Sequence, residues 1–148
     1  RESGFSLVEL LVVVVIIGIL AAIAIPIFNN QKSKAQRSTA VSDVRGASAE
    51  LQGVLGDVVS WGEGAPTIDG TENGATMAIT VTTGVRGQFL SGDTTKEFSV
   101  KISPGTAWHD GSVGSDGSWC IVFTNNGQYA KLSDMENLES GDTELTCA

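Results

Sequence analysis

Glu9 is the one ionisable residue between Phe5 and Phe28, a run of 24 residues built almost wholly from Val, Ile, Leu and Ala. A carboxylate in such a run costs roughly 2.5–3.5 kcal/mol on insertion scales, so it usually has a partner. The plainer alternative is a carboxylate near a membrane interface, reaching back to headgroups and water. Cys120 and Cys147, the only cysteines, have a spacing that suits neither a zinc knuckle nor a C-x-x-C redox pair. Behind an apolar segment they read most simply as a disulfide formed in an oxidising exterior, against the alternative of two buried free thiols in a reduced compartment. A loop of this size contributes roughly 3 kcal/mol in the chain-entropy model.

Other candidates for chemistry are thin. His109 is the only histidine, and Trp108-His109-Asp110 has no nucleophile motif such as G-x-S-x-G beside it. An inert loop histidine is the expectation. The stretch from Asp110 to Asp116 has a faint look of a calcium loop, without EF-hand spacing or a distal bidentate Glu. Gly84, Gly87 and Gly92 precede no Lys-Ser/Thr pair and form no phosphate loop. Trp61 and Trp108 are candidates to line a ligand surface, while Trp119, next to Cys120, reads as core. No catalytic residue, cofactor or metal site is expected.

The apolar run sets the architecture that must carry Glu9. At about 1.5 Å per residue it makes a helix of roughly 36 Å, enough to cross a hydrocarbon core of about 30 Å. It is apolar all round, which places it in lipid or in an assembly of its own kind. Beyond Pro26 the helical period persists but becomes one-sided: Val41, Val44, Ser48, Leu51, Leu55 and Val58 mark a buried stripe, with Asp43 and Glu50 off it. One helix from about Phe5 to about Val59 is expected, kinked but not ended by Pro26. Gly18, Gly46 and Gly53 are further soft points. Trp61 to Pro66 stops it.

The rest alternates. Residues 61–75 read as a loop, Thr76–Thr82 and Glu97–Ile102 as half-buried strands, and Pro104–Gly117 as another loop. Trp119–Thr124 and Gln128–Leu132 form a hairpin about Asn126-Gly127. The tail from Ser133 is acidic, with Leu132, Met135, Leu138 and Leu145 as its few anchors. The expected fold is α+β: a long N-terminal helix whose C-terminal half packs on a small antiparallel sheet of about four strands. Four parts follow: residues 1–4, the apolar half 5–28, the amphipathic half 29–60, and a head over 61–148.

Charge divides along the same line. Residues 1–52 carry five basic groups against four acids, a balance of +1, and the remainder four against thirteen, −9, giving the chain's −8. So acidic a head argues against nucleic-acid binding through that surface, because phosphate contacts need Lys and Arg.

Gly4-Phe5, Glu9, Gly18 and Pro26, in register through about Lys32, resemble the N-terminus of type IV pilins and the related pseudopilins. The resemblance implies that a prepilin peptidase cuts between Gly4 and Phe5, leaving residues 1–4 as a leader remnant, and that Phe5 is then N-methylated. It implies that Glu9 neutralises the N-terminal ammonium of a neighbouring subunit, which suits an apolar bundle where two charges must cancel. It also implies that Gly18 and Pro26 bound a segment able to stretch on assembly. The Leu-Val-Val-Val-Val block is similar to pilins of Gram-positive actinobacteria. The implied function is a structural subunit that forms a homopolymeric filament for adhesion, twitching motility or DNA uptake. The subunit would be membrane-held before assembly and extracellular after it. Its partners would be the peptidase and the assembly machinery. A pseudopilin of a type II secretion or competence system, where an acidic tail would hold calcium, is the alternative; a membrane-tethered enzyme is the third reading. Lys32, Lys34 and Arg37 follow the run, so the positive-inside count puts the head in the cytoplasm. The disulfide and the resemblance put it outside, and the expectation follows them, with a basic leader upstream of Arg1.

Overall fold

A computed structural model describes residues 4–134 and 137–147. The expected leader residues Arg1–Ser3 and the tail anchor Met135 lie outside these. One helix, α1 (Leu7–Gly56), is followed by nine strands: β1 (Val58–Ser60), β2 (Thr67–Asn73), β3 (Thr76–Thr82), β4 (Gln88–Phe89), β5 (Thr95–Lys101), β6 (Thr106–Val113), β7 (Trp119–Asn125), β8 (Gln128–Ser133) and β9 (Glu139–Gly141). The fold is α+β. The chain divides into two units, up to Ala35 and from Gln36 onward.

In the first unit α1 runs unbroken past Gly18 and Pro26. Pro26 has no N–H, so the carbonyl of Ala22 loses its helical donor there. The apolar side chains have no protein around them: from Phe5 to Phe28 the large ones are 48–88% exposed.

In the second unit the helix turns its small residues inward. Ala40, Val44, Ala47, Leu51 and Val54 share one core with Met77, Ile79 and Val81 of β3, Val100 of β5, and Ile121 and Phe123 of β7. Val44, Ser48 and Leu51 are buried as the stripe predicts, and Val41, Leu55 and Val58 half-buried. Ala40, Ala47 and Val54 complete the same buried face. The helix ends at Gly56, short of Val59. Gly53 and Gly56 weaken its last turns, and Val58 is drawn into a ladder opposite Phe89.

The single sheet of about four strands is corrected to three antiparallel sheets, ordered β1-β4, β2-β3-β5 and β6-β7-β8-β9. Both segments read as loops contain strands. In β2 only Ile68 is buried, so Thr67–Asn73 carries an almost wholly polar sequence. In β6 the register slips between Trp108 and Asp110, and that bulge destroys the alternation. The strands expected at 76–82 and in the 119–132 hairpin are present, with Asn126 and Gly127 both at positive φ (48° and 80°) in the turn.

Two features lock the sheets together. The Trp108 indole lies flat on β2 and β6: a Cβ at Gly70 or Gly111 would sit 2.4 Å from it. Glu72 accepts the Trp108 backbone N–H at 2.6 Å. The second feature corrects the reading of Asp43. It is buried, not off the stripe, and accepts hydrogen bonds from Ser103 N–H, Ser103 Oγ and Thr106 Oγ1 at 2.9, 3.0 and 2.6 Å. It thereby ties α1 to the β5–β6 loop. Asp43→Ala strands three donors in the interior, and a loss of about 3 kcal/mol follows. Denaturant unfolding of the full chain in detergent checks this. Asp43→Asn, which keeps an acceptor, should lose markedly less.

Candidate assembly site

Gly4 and Phe5 precede the helix, in irregular backbone, and Phe5 is 88% exposed. The peptide bond between them is exposed and lies outside the helix. Ser6 is the N-cap. Its hydroxyl accepts the Glu9 backbone N–H at 3.2 Å, and Glu9 Oε2 accepts the Ser6 N–H at 2.9 Å. This is a capping box, in which two otherwise orphaned helix donors are satisfied reciprocally. Sequence reasoning singled out Glu9 and missed Ser6, although the S-x-x-E spacing ahead of an apolar run is itself the signal.

The arrangement has a chemical consequence. One carboxylate oxygen is engaged within the chain and the negative charge stands at a helix N-terminus, where the dipole favours it. The group is thus partly solvated by its own backbone while remaining able to accept an ammonium. Gly18 lies within the helix with open space where a Cβ would be, so nothing in the subunit requires a glycine there for packing. By length and composition α1 is long and apolar enough to cross a membrane.

At the far end of the chain Cys120 and Cys147 form a disulfide, with Cα atoms 5.7 Å apart. The tail is held by further contacts. Cys147 N–H donates to Asp110 Oδ2 at 2.7 Å, and Glu144 reaches His109 Nε2 at 3.1 Å. The His109 ring stands edge-on to Tyr129, with centroids 4.9 Å apart. His109, read as an inert loop residue, is in β6 and faces the tail. No periodicity signals its pairing with Glu144. Asp110 and Asp116, the ends of the calcium-like stretch, serve separate jobs. Asp110 Oδ1 accepts Gly111 N–H, and Asp116 Oδ1 accepts Ser118 Oγ and N–H. The Ser118 hydroxyl and amide hold the Asp116 carboxyl below the usual range. Trp119 is buried in the core, Trp61 is half-buried against it, and Trp108 wedges the sheets.

Residues 1–25 match the model for the prokaryotic N-terminal methylation motif. The type IV major fimbrial protein FimA of Dichelobacter nodosus is 33% identical over 140 residues, covering 89% of this chain and 88% of that one. Fimbrial protein EcpB of Eikenella corrodens is 34% identical over 74 residues, 50% of this chain and 43% of that one. The type II secretion system core protein G of Aeromonas hydrophila is 50% identical, but over 44 residues, 30% of this chain and 31% of that one. These relatives give the likeness to actinobacterial pilins no support. No solved structure gives a significant match. With a fimbrial relative aligned along nearly its whole length, a methylation motif at its start, and one long helix feeding small antiparallel sheets, this chain belongs to the type IV pilin family.

Proposed function

We propose that this chain is the repeating subunit of an extracellular type IV filament and catalyses no reaction. One observation carries the reading: the large apolar side chains from Phe5 to Phe28 are 48–88% exposed. Such a surface is unstable in water, and burial is worth about 25 cal/mol per Å². Lipid covers it before assembly; copies of the same helix cover it afterwards. Adhesion, twitching motility and DNA uptake are the uses such a filament serves.

The N-terminus supplies the processing site. A prepilin peptidase cuts between Gly4 and Phe5, and Phe5 becomes the N-methylated first residue. Its ammonium then pairs with Glu9 of a neighbouring copy. Gly18 and Pro26 mark the weakest turns of the rod, the former by roughly 1 kcal/mol of helix propensity relative to Ala and the latter by a missing hydrogen bond. The turns between them are where the helix stretches on assembly.

Intact mass of the native chain tests the processing. The expected value lacks Arg1–Gly4 and carries one added methyl group; a mass that retains those four residues contradicts it. The 44-residue match to a secretion-system core protein favours a second reading, a pseudopilin whose acidic tail holds calcium. There the melting temperature of the head would rise on adding calcium, whereas the disulfide-held tail of a filament subunit predicts no change.

A further inference from the structure

Asp43, Thr106 and Asn125 form one buried polar cluster, at 8%, 5% and 2% exposure. Thr106 opens β6 and Asn125 closes β7, and the two stand opposite each other in the ladder. The Thr106 hydroxyl donates to Asp43 Oδ2 at 2.6 Å. The same hydroxyl oxygen accepts a hydrogen bond from Asn125 Nδ2 at 2.9 Å. The carboxamide carbon of Asn125 is one bond further on. A hydroxyl with a carboxylate on its proton and a carbonyl carbon beside its oxygen is a nucleophile, a base and an electrophile in one place.

Two further contacts fit that chemistry. Asn126 Nδ2 donates to Asn125 Oδ1 at 3.1 Å, which polarises the carboxamide and stabilises an oxyanion formed there. Asn125 Nδ2 also donates to the Pro104 carbonyl at 3.2 Å, which fixes the orientation of the amide. Gly105, at φ +83°, lets the loop close over these groups: a Cβ there would sit 3.0 Å from Asn126 Nδ2 and 3.4 Å from Asn125 Oδ1.

We propose that Thr106 and Asn125 join in an ester, which the chain forms on itself once after folding. Asp43 takes the hydroxyl proton as Thr106 Oγ1 adds to Asn125 Cγ. The tetrahedral carbon then expels the carboxamide nitrogen, which takes that proton from Asp43 and leaves as ammonia. One C–O bond replaces one C–N bond, nothing is oxidised or reduced, and Asp43 ends as it began. Escape of ammonia and exclusion of water from the buried site hold the product against reversal and hydrolysis. The bond closes the β6–β7 pair at the end opposite its connecting turn, where a ladder frays first. It depends on the folded head alone, whether or not the chain polymerises.

Intact mass of the full chain, purified in detergent and kept acidic, tests it. Apart from processing and the disulfide, wild type should weigh one ammonia less than its sequence. After reduction, the tryptic peptide of residues 102–131 should carry that loss and yield no backbone fragments from cuts between Thr106 and Asn125. A full sequence mass overturns the proposal. So does a succinimide at Asn126-Gly127, which loses the same mass but leaves those fragments complete. Thr106→Val and Asp43→Asn should restore the full mass, whereas Thr106→Ser, which keeps the hydroxyl, should retain the loss. Ammonia still lost from Thr106→Val removes Thr106 as nucleophile, and ammonia still lost from Asp43→Asn removes Asp43 as base; either result overturns the mechanism.

Discussion

Glu9→Ala should leave the chain in the membrane with its head folded and reduce filament yield by on the order of a hundredfold or more. The size follows from the surroundings. In an apolar bundle the Phe5 ammonium of one subunit would lose its only counter-charge, and breaking a buried pair costs about 3–5 kcal/mol per subunit, where every 1.4 kcal/mol is tenfold. Alanine also removes the capping box with Ser6, so frayed helix starts offer a competing explanation. Glu9→Gln separates the two, because glutamine serves in a capping box but carries no charge. The pairing account expects Glu9→Gln to assemble as poorly as Glu9→Ala while the helix start stays ordered. Normal yield from Glu9→Gln would reduce Glu9 to a cap.

The disulfide carries the second large effect. Reduction of Cys120–Cys147 should release the residues beyond Gly141 and leave α1, β3 and the β7–β8 hairpin protected. What remains to hold the tail among the described residues is modest: the Cys147–Asp110 hydrogen bond, and the His109–Glu144 pair, whose carboxylate side chain is 65% exposed and therefore worth little. The 27-residue separation corresponds to roughly 3 kcal/mol in the chain-entropy model. Hydrogen exchange with and without reductant measures it. Fast exchange confined to residues 142–147 is the expected pattern. Collapse of protection in β7 and β8 would show instead that the bond holds the whole head, and thiol labelling of the unreduced native protein would deny the bond altogether.

These two ends of the chain were the legible ones. An apolar run of membrane length, a lone acid and two lone cysteines need no tertiary context to be noticed. Thr76–Thr82 was equally plain, since its two faces meet core and solvent in strict alternation. Asn126-Gly127 announced its own turn. The segments that misled are those in which neighbours decide the matter. Thr67–Asn73 is a strand because β3 pairs with it residue for residue, not because its side chains favour burial. Thr106–Val113 hides behind its bulge, and Gly111 reads as a loop residue until the Trp108 indole is seen resting on it. Asp43 is the clearest case. A carboxylate at a helical position reads as solvent-facing, and only the arrival of Ser103 and Thr106, some sixty residues later, makes its burial tolerable. Ser6 is different: the capping-box spacing was there to be read.

In the proposed filament, residues 5–28 form the core of a polymer whose heads lie outside the cell. The most direct test is electron microscopy of material sheared from the cell surface, labelled with antibody raised against the head, residues 61–148. Thin filaments decorated along their whole length, and lost in cells lacking this chain, are the expected result. Filaments without label, or a chain found only in the membrane fraction of cells that make filaments, would contradict it.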